Sequence, residues 1–174
     1  NDIIEMSKID TEQIEINYAE CNLLALLNNI IARFKPEITA KGLDFIFRNK
    51  ESLKLLSEFE SDSEKIDIIL TILMKNAIKF THKGSIELGV NLRGEELILF
   101  VRDTGIGIHK DNQELIFEKF RQGDEHLSRN YEGMGLGLSI AKKYIEVLNG
   151  KIWVISEPGV GSTFYISIPM RNSK

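Results

Sequence analysis

The feature that most constrains this chain is the order in which its apolar spacing changes period. Leu23, Leu26, Leu27, Ile30, Ile31 and Phe34 recur at helical spacing, as do Ile66, Ile69, Leu70, Leu73, Ala77 and Phe80. Leu43–Arg48 instead alternates with period two, and Ser85–Leu92 and Glu95–Arg102 are β-rich runs that meet at Arg93-Gly94 as a predicted hairpin. A third helix is predicted from about Gly135 to Leu148. Two strands follow, Lys151–Ser156 and Ser162–Pro169, around a Pro158-Gly159-Val160-Gly161 turn. This order is not a regular strand–helix alternation, so a doubly wound parallel sheet is excluded. It predicts an α+β chain: a two-layer α/β sandwich whose mixed sheet of about five strands is covered on one face by three helices.

The weaker signals fill in the rest. Ile3, Ile4, Met6 and Ile9 form a helical stripe within Asn1–Asp10, too short to be stable alone. Ile14–Tyr18 reads as a strand, with another candidate near Lys54–Phe59. The first long helix is expected to pass Pro36 with a kink or restart and to end by Gly42. Ser61 and Glu64 have the spacing of a capping box for the second. Asp103–Gly133 is irregular, polar and bounded by glycines, with a helical patch near Leu115–Phe120. A structureless stretch of that length inside a compact domain is usually a lid or binding loop.

The 174 residues suit one domain. With 22 Lys+Arg against 26 Asp+Glu, the net charge of -4 lacks the basic excess of a general nucleic-acid or anionic-membrane binder. Apolar runs such as Leu97–Val101 fall far short of the ~20 residues of a membrane span. The single Cys21 leaves no internal disulfide or multi-cysteine zinc site and reads as a small core residue. The chain begins at Asn1 rather than Met, and it is expected to be a piece of something longer.

Three patches carry chemistry. Asn76-Ala77-Ile78-Lys79-Phe80-Thr81 ends the second long helix, and Asn76 and Lys79 project from nearly one face. An amide oxygen and an ammonium there suit a metal and an anion, although a polar helix end has the same composition. Asp103-Thr104-Gly105-Ile106-Gly107 leaves an apolar strand with a carboxylate beside backbone that a flat ligand can approach, or simply turns tightly. A carboxylate only accepts hydrogen bonds, which suits an amino group such as that of adenine. Gly133-Met134-Gly135-Leu136-Gly137-Leu138 runs into a helix, where amides and the helix dipole favour phosphate. Its spacing is neither the dinucleotide glycine fingerprint nor a Walker P-loop.

Together these patches resemble the catalytic, ATP-binding domain of bacterial-type sensor histidine kinases, in the superfamily of gyrase, heat-shock chaperone and mismatch-repair ATPases with the Bergerat fold. Asn76–Thr81 is similar to the asparagine box and Asp103–Gly107 to the first glycine box. Phe117-Glu118-Lys119-Phe120 is similar to the phenylalanine box and Gly133–Leu138 to the second glycine box. Gly161-Ser162-Thr163-Phe164 resembles the last element, and the likeness spans roughly Cys21 to Met170.

The resemblance implies a fold with a mobile ATP lid, and ATP and Mg²⁺ as ligands. Asp103 would bind the adenine amino group, with Gly105 and Gly107 as the pocket wall. Asn76 would ligate Mg²⁺, Lys79 would contact a phosphate, and Gly133, Gly135 and Gly137 would close over the triphosphate. Arg121, Gln122, Arg129 and Tyr131 resemble lid residues that reach the phosphates or base, and Thr163 is carried over as a nucleotide contact. Phe117 and Phe120 are expected to pack the lid.

The implied activity is transfer of the ATP γ-phosphoryl to a histidine on an upstream dimerisation domain of a homodimeric parent, then to a response regulator receiver domain. No nucleic acid and no direct membrane contact are expected. The domain is expected in the cytoplasm, whether or not its parent is membrane-anchored. Residues 1–12 would end a dimerisation-domain helix, 13–170 form the catalytic domain and 171–174 a tail.

Two departures stand out. Where the family commonly has Asn one turn before Asn76, and its hydrolytic members a general-base Glu, this chain has Ile72. A hydrocarbon neither accepts a proton nor ligates Mg²⁺, which disfavours a hydrolytic ATPase and leaves a degenerate nucleotide-binding or partner-docking module as the alternative. His82, His109 and His126 lack a phosphoacceptor context and read as solvated loop histidines.

Overall fold

A computed structural model describes residues 14–56, 59–118 and 135–170, together with Ile4, Ser7 and Ile9. Strand β1 (Ala19–Glu20) precedes helix α1 (Leu23–Ala40), strand β2 (Asp44–Arg48) and a 3-10 turn over Lys50–Leu55. Strand β3 (Glu60–Ser61) leads into helix α2 (Ser63–Phe80) and the hairpin of β4 (Ser85–Arg93) and β5 (Glu96–Asp103). Two 3-10 turns, Lys110–Asn112 and Leu115–Phe117, precede helix α3 (Gly137–Val147) and strands β6 (Lys151–Glu157) and β7 (Gly161–Pro169). The five-stranded sheet has the order β2-β4-β5-β7-β6. Only β2 and β4 run parallel. The expected mixed sheet and three helices are present.

Strand alternation builds the core. Ile86, Leu88 and Val90 of β4, Leu97, Leu99 and Val101 of β5, and Phe164, Ile166 and Ile168 of β7 are buried in one cluster with Leu27, Ile30, Ile66, Ile69 and Leu70 of the helices. Each such side chain contributes about 1.5–3 kcal/mol on burial. The opposite face of the sheet stays half-covered and carries a row of rings, with Trp153 stacked on Tyr165 at 5.3 Å and Phe100 tilted against it at 5.9 Å.

Several local expectations are corrected. Helix α1 passes Pro36 as one helix without a restart: buried Phe34 and Ile38 flank the proline, and their burial outweighs one lost N–H bond. It stops at Gly42, whose φ of +72° lets the Gly42 and Leu43 amides turn back to the Thr39 and Ile38 carbonyls. Ile14, Ile16 and Tyr18 pack on the core, yet residues 14–18 are not a strand, since only Ala19 and Glu20 find partners, on β3. Of the stretch near Lys54–Phe59, the described residues are not strand either: a 3-10 turn ends at Leu55 and pairing begins at Glu60. The cap of α2 is Asp62 rather than Ser61, which is committed to β3. The Asp62 carboxylate is 2% exposed and accepts from the Lys65 amide at 3.1 Å and the Asn17 amide at 2.9 Å. Cys21 is a buried core residue, as expected, and burial pushes its thiol pKa up.

Candidate functional site

Helix α2 is the spine of the site. Asn76 and Lys79 lie half-buried in its last two turns, and the Asn76 carboxamide makes no hydrogen bond among the described residues. The Lys79 ammonium sits 5.2 Å from the centre of the Phe80 ring, and burial lowers its pKa. The end of this helix is itself pinned. Lys41, capping α1, donates its ammonium to the Ile78 and Thr81 carbonyls, where a cation also complements the helix dipole. The Phe80 carbonyl accepts from the Ile106 amide at 3.2 Å, which hangs the Asp103–Gly107 turn directly on α2.

Asp103 ends β5 and is 6% exposed. Burial drives its carboxyl from 3.8 up to about 6, opposed by amide donors from Gly105 (2.8 Å) and Ser162. Those two bonds leave part of the carboxylate's acceptor capacity (about four lone-pair sites) for an incoming donor.

The glycines around it are dictated first by the chain's own backbone. A Cβ at Gly105 would come 2.4 Å from the Phe80 carbonyl oxygen, and one at Gly107 (φ +72°) 2.1 Å from that of Glu157. Gly161 (φ +138°) would collide likewise with the Asp103 carbonyl at 2.1 Å. Room for a ligand is not their only reason for being glycine.

Midway along the same helix lies the N-terminus of α3. A Cβ on Gly137 would stand 3.2 Å from the Ile72 Cγ2, so this terminus lies against α2 one turn before Asn76. No side chain among the described residues caps it: Leu136 precedes the helix, Gly135 adopts φ +67°, and Ser139 turns its hydroxyl back to the Leu136 carbonyl at 2.8 Å. Its first amides are therefore available to an anion. Ile72 to Phe80 is eight residues, or roughly 12 Å along the helix. An acceptor for a donor group stands at one end of that span, an open helix N-terminus at the other, and Asn76 and Lys79 between.

Of the remaining expected site residues, Arg121, Arg129, Tyr131 and Gly133 lie outside the described residues, as do Gln122 and Phe120. Phe117 packs edge-on against Phe164 at 6.2 Å, in keeping with a packing role. Thr163 is not brought beside Asp103. Its register partners are Arg102 and Ile155, while Asp103 faces Ser162. Neighbouring strand residues point to opposite faces, so Ser162, 6% exposed, shares the Asp103 side. The inward alternation of Phe164, Ile166 and Ile168, counted back by two, was the signal for it. His109 sits exposed beside Asp111 at 3.3 Å, and no group of three metal-ligating His, Cys, Asp or Glu side chains occurs among the described residues.

With this geometry in hand, the likeness to known proteins has a physical basis. Residues 61–172 match the family described as histidine kinase-, DNA gyrase B-, and HSP90-like ATPase. The autoinducer 2 sensor kinase/phosphatase LuxQ of Vibrio vulnificus (strain YJ016) is 38% identical over 180 residues, which cover 100% of this chain and 21% of LuxQ. The sensor histidine kinase RcsC of Escherichia coli (strain K12) is 36% identical over 170 residues, covering 98% of this chain and 18% of RcsC. The chain thus spans about a fifth of the length of these relatives. Among solved structures, full-length ShkA in complex with AMPPNP superposes with a TM-score of 0.87 at 26% identity, over 99% of this chain and 35% of ShkA. The catalytic domain of histidine kinase ThkA gives 0.74 at 29% identity, over 88% of this chain and 98% of that domain. On the match of residues 61–172, this chain belongs to the histidine kinase-, DNA gyrase B- and HSP90-like ATPase family.

Proposed function

We propose that this chain is the ATP-binding catalytic unit of a sensor histidine kinase, passing the γ-phosphoryl of ATP to a histidine on a dimerisation domain of the same, homodimeric polypeptide. A response regulator receiver domain would take the phosphoryl next. The observation that carries the reading is the span along α2: at one end a buried carboxylate with acceptor capacity left, and at the other a helix N-terminus that no described side chain caps. Asp103 would accept from the adenine amino group. The α3 amides and Lys79 would hold the phosphates, joined by Gly133 and Gly135 of the second glycine box and by Arg121, Arg129 and Tyr131. Asn76 offers an amide oxygen, untied among the described residues, that suits Mg²⁺, a hard cation usually held by few protein ligands plus phosphates. When bound, the ion supplies charge neutralisation between phosphate oxygens. The chain's own work in phosphoryl transfer is positioning and electrostatic stabilisation.

The same reading assigns residues 1–12 to the end of a dimerisation-domain helix, 13–170 to the catalytic domain and 171–174 to a tail, in a cytoplasmic location. No described helix is long and apolar enough to cross a membrane.

The test mixes this chain with a separate dimerisation-domain fragment and γ-labelled ATP. Label should appear on the fragment's histidine and not on this chain. Label on this chain alone, or none anywhere despite nucleotide binding, refutes the kinase assignment. The second outcome would favour the degenerate binding module, the reading that Ile72 supports, since a hydrocarbon lies against the α3 terminus where the resemblance calls for Asn. The same absence of a general base speaks against a hydrolytic ATPase, and rapid phosphate release without an acceptor would reverse that.

A further inference from the structure

Gln113 is half-buried just beyond the Lys110–Asn112 turn, outside every motif the family resemblance draws on. Its carboxamide nitrogen donates to two carbonyls from distant parts of the chain, Ile108 at 3.0 Å and Ser156 at 2.9 Å. Ser156 completes the tie: its hydroxyl accepts from the Ile108 amide at 2.7 Å and donates to the Gly161 carbonyl at 2.9 Å. Ser162 lies 2.8 Å away, hydroxyl to hydroxyl, and its amide reaches the Asp103 carboxylate. Across the same gap the Gly159 amide donates to the Ile106 carbonyl at 2.8 Å. The segment after Asp103 is thereby zipped to the β6–β7 turn, with Gln113 bridging both sides through one donor group.

We infer that Gln113 is a positioning residue for the adenine pocket, a two-pronged donor that holds Ile106–Ile108 against Ser156 and so sets where Gly107 and the Asp103 carboxylate stand. The inference rests on the nucleotide-binding reading above. Its chemistry is specific, because both partners are carbonyl oxygens and only a donor can serve them. Glutamate has the same shape and no donor, so it places a carboxylate against two acceptors. Alanine removes the donor without adding that repulsion. A residue that merely filled space would rank them the other way, since Glu fills the volume and Ala leaves a hole.

The experiment titrates the unsubstituted chain, Gln113→Glu and Gln113→Ala with AMPPNP and Mg²⁺ by calorimetry, at a temperature where circular dichroism shows all three fully folded. It also follows amide exchange of Ile108 and Gly159 without nucleotide. Affinity should fall about tenfold in Gln113→Glu and about threefold in Gln113→Ala, the loss of two modest hydrogen bonds with and without added repulsion. Exchange at Ile108 and Gly159 should quicken about tenfold in Gln113→Glu. The inference is overturned if Gln113→Ala binds more weakly than Gln113→Glu, if both stay within twofold of the unsubstituted chain, or if exchange at the two amides is unchanged. Failure of the unsubstituted chain to bind AMPPNP would instead overturn the nucleotide reading, and the exchange rates would still decide whether the zip depends on Gln113.

Discussion

Replacing Asp103 by Asn should stabilise the protein while crippling its proposed ligand site, and the size of the gain should depend on pH. The buried carboxyl titrates at about 6 in the folded chain against 3.8 as an ordinary carboxyl, with desolvation as the main cause. Between those values the folded state binds more protons than the unfolded one, so stability falls as pH rises through the window. Integrated, the ionised carboxylate costs about 3 kcal/mol at pH 7.5 and roughly half of that at pH 5, and nothing well below pH 3.8 where both states are protonated.

Asn keeps an oxygen for the Gly105 and Ser162 amides but buries an NH₂ group that needs its own partner, which takes back about 1 kcal/mol at either pH. Urea unfolding should therefore show Asp103→Asn more stable by about 2 kcal/mol at pH 7.5, with the advantage smaller by about 1 kcal/mol at pH 5. Calorimetry on the same samples should show AMPPNP affinity reduced at least tenfold, since an NH₂ meets the adenine amino group where an acceptor was. A destabilised Asp103→Asn at pH 7.5, or a difference that does not change between the two pH values, would refute the buried-carboxylate reasoning. Unimpaired AMPPNP binding would refute the pocket assignment.

Two further substitutions probe the frame around the site. Ile72→Asn should tighten Mg²⁺-dependent AMPPNP binding several-fold, by about 1 kcal/mol, because an amide replaces a hydrocarbon beside the α3 terminus; calorimetry showing the same affinity with and without the substitution would sink that expectation. Asp62→Ala should cost about 2 kcal/mol in urea unfolding, since it strips acceptors from the Lys65 and Asn17 amides at once. Amide exchange at Asn17 should rise in parallel, and an unchanged Asn17 would show that the cap does not hold the incoming segment.

Much of this molecule was legible from local patterns. Periodicity located α1, α2, α3 and the two hairpins because each must bury one face, and burial imposes its own period on the sequence. Asp103, Asn76 and Gly137 were equally visible, since the motifs that hold them place particular residue types at fixed spacing. What local pattern missed depended on partners far away in sequence. Residues 14–18 alternate like a strand but have no strand beside them. Ser61 has the spacing of a cap, but β1 claims it, and Asp62 takes the role because it also meets Asn17.

The sequence by itself determined the α+β class, the order of elements and the family to which the site belongs. Only the tertiary structure decided that Ser162 rather than Thr163 stands with Asp103, that Gly105, Gly107 and Gly161 are small to let the chain pass close to itself, and that Gln113 ties the Ile108 carbonyl to that of Ser156. The physical reason is reach: hydrogen-bond partners and steric limits are set by distances across the fold, about which sequence separation says nothing until the chain is packed.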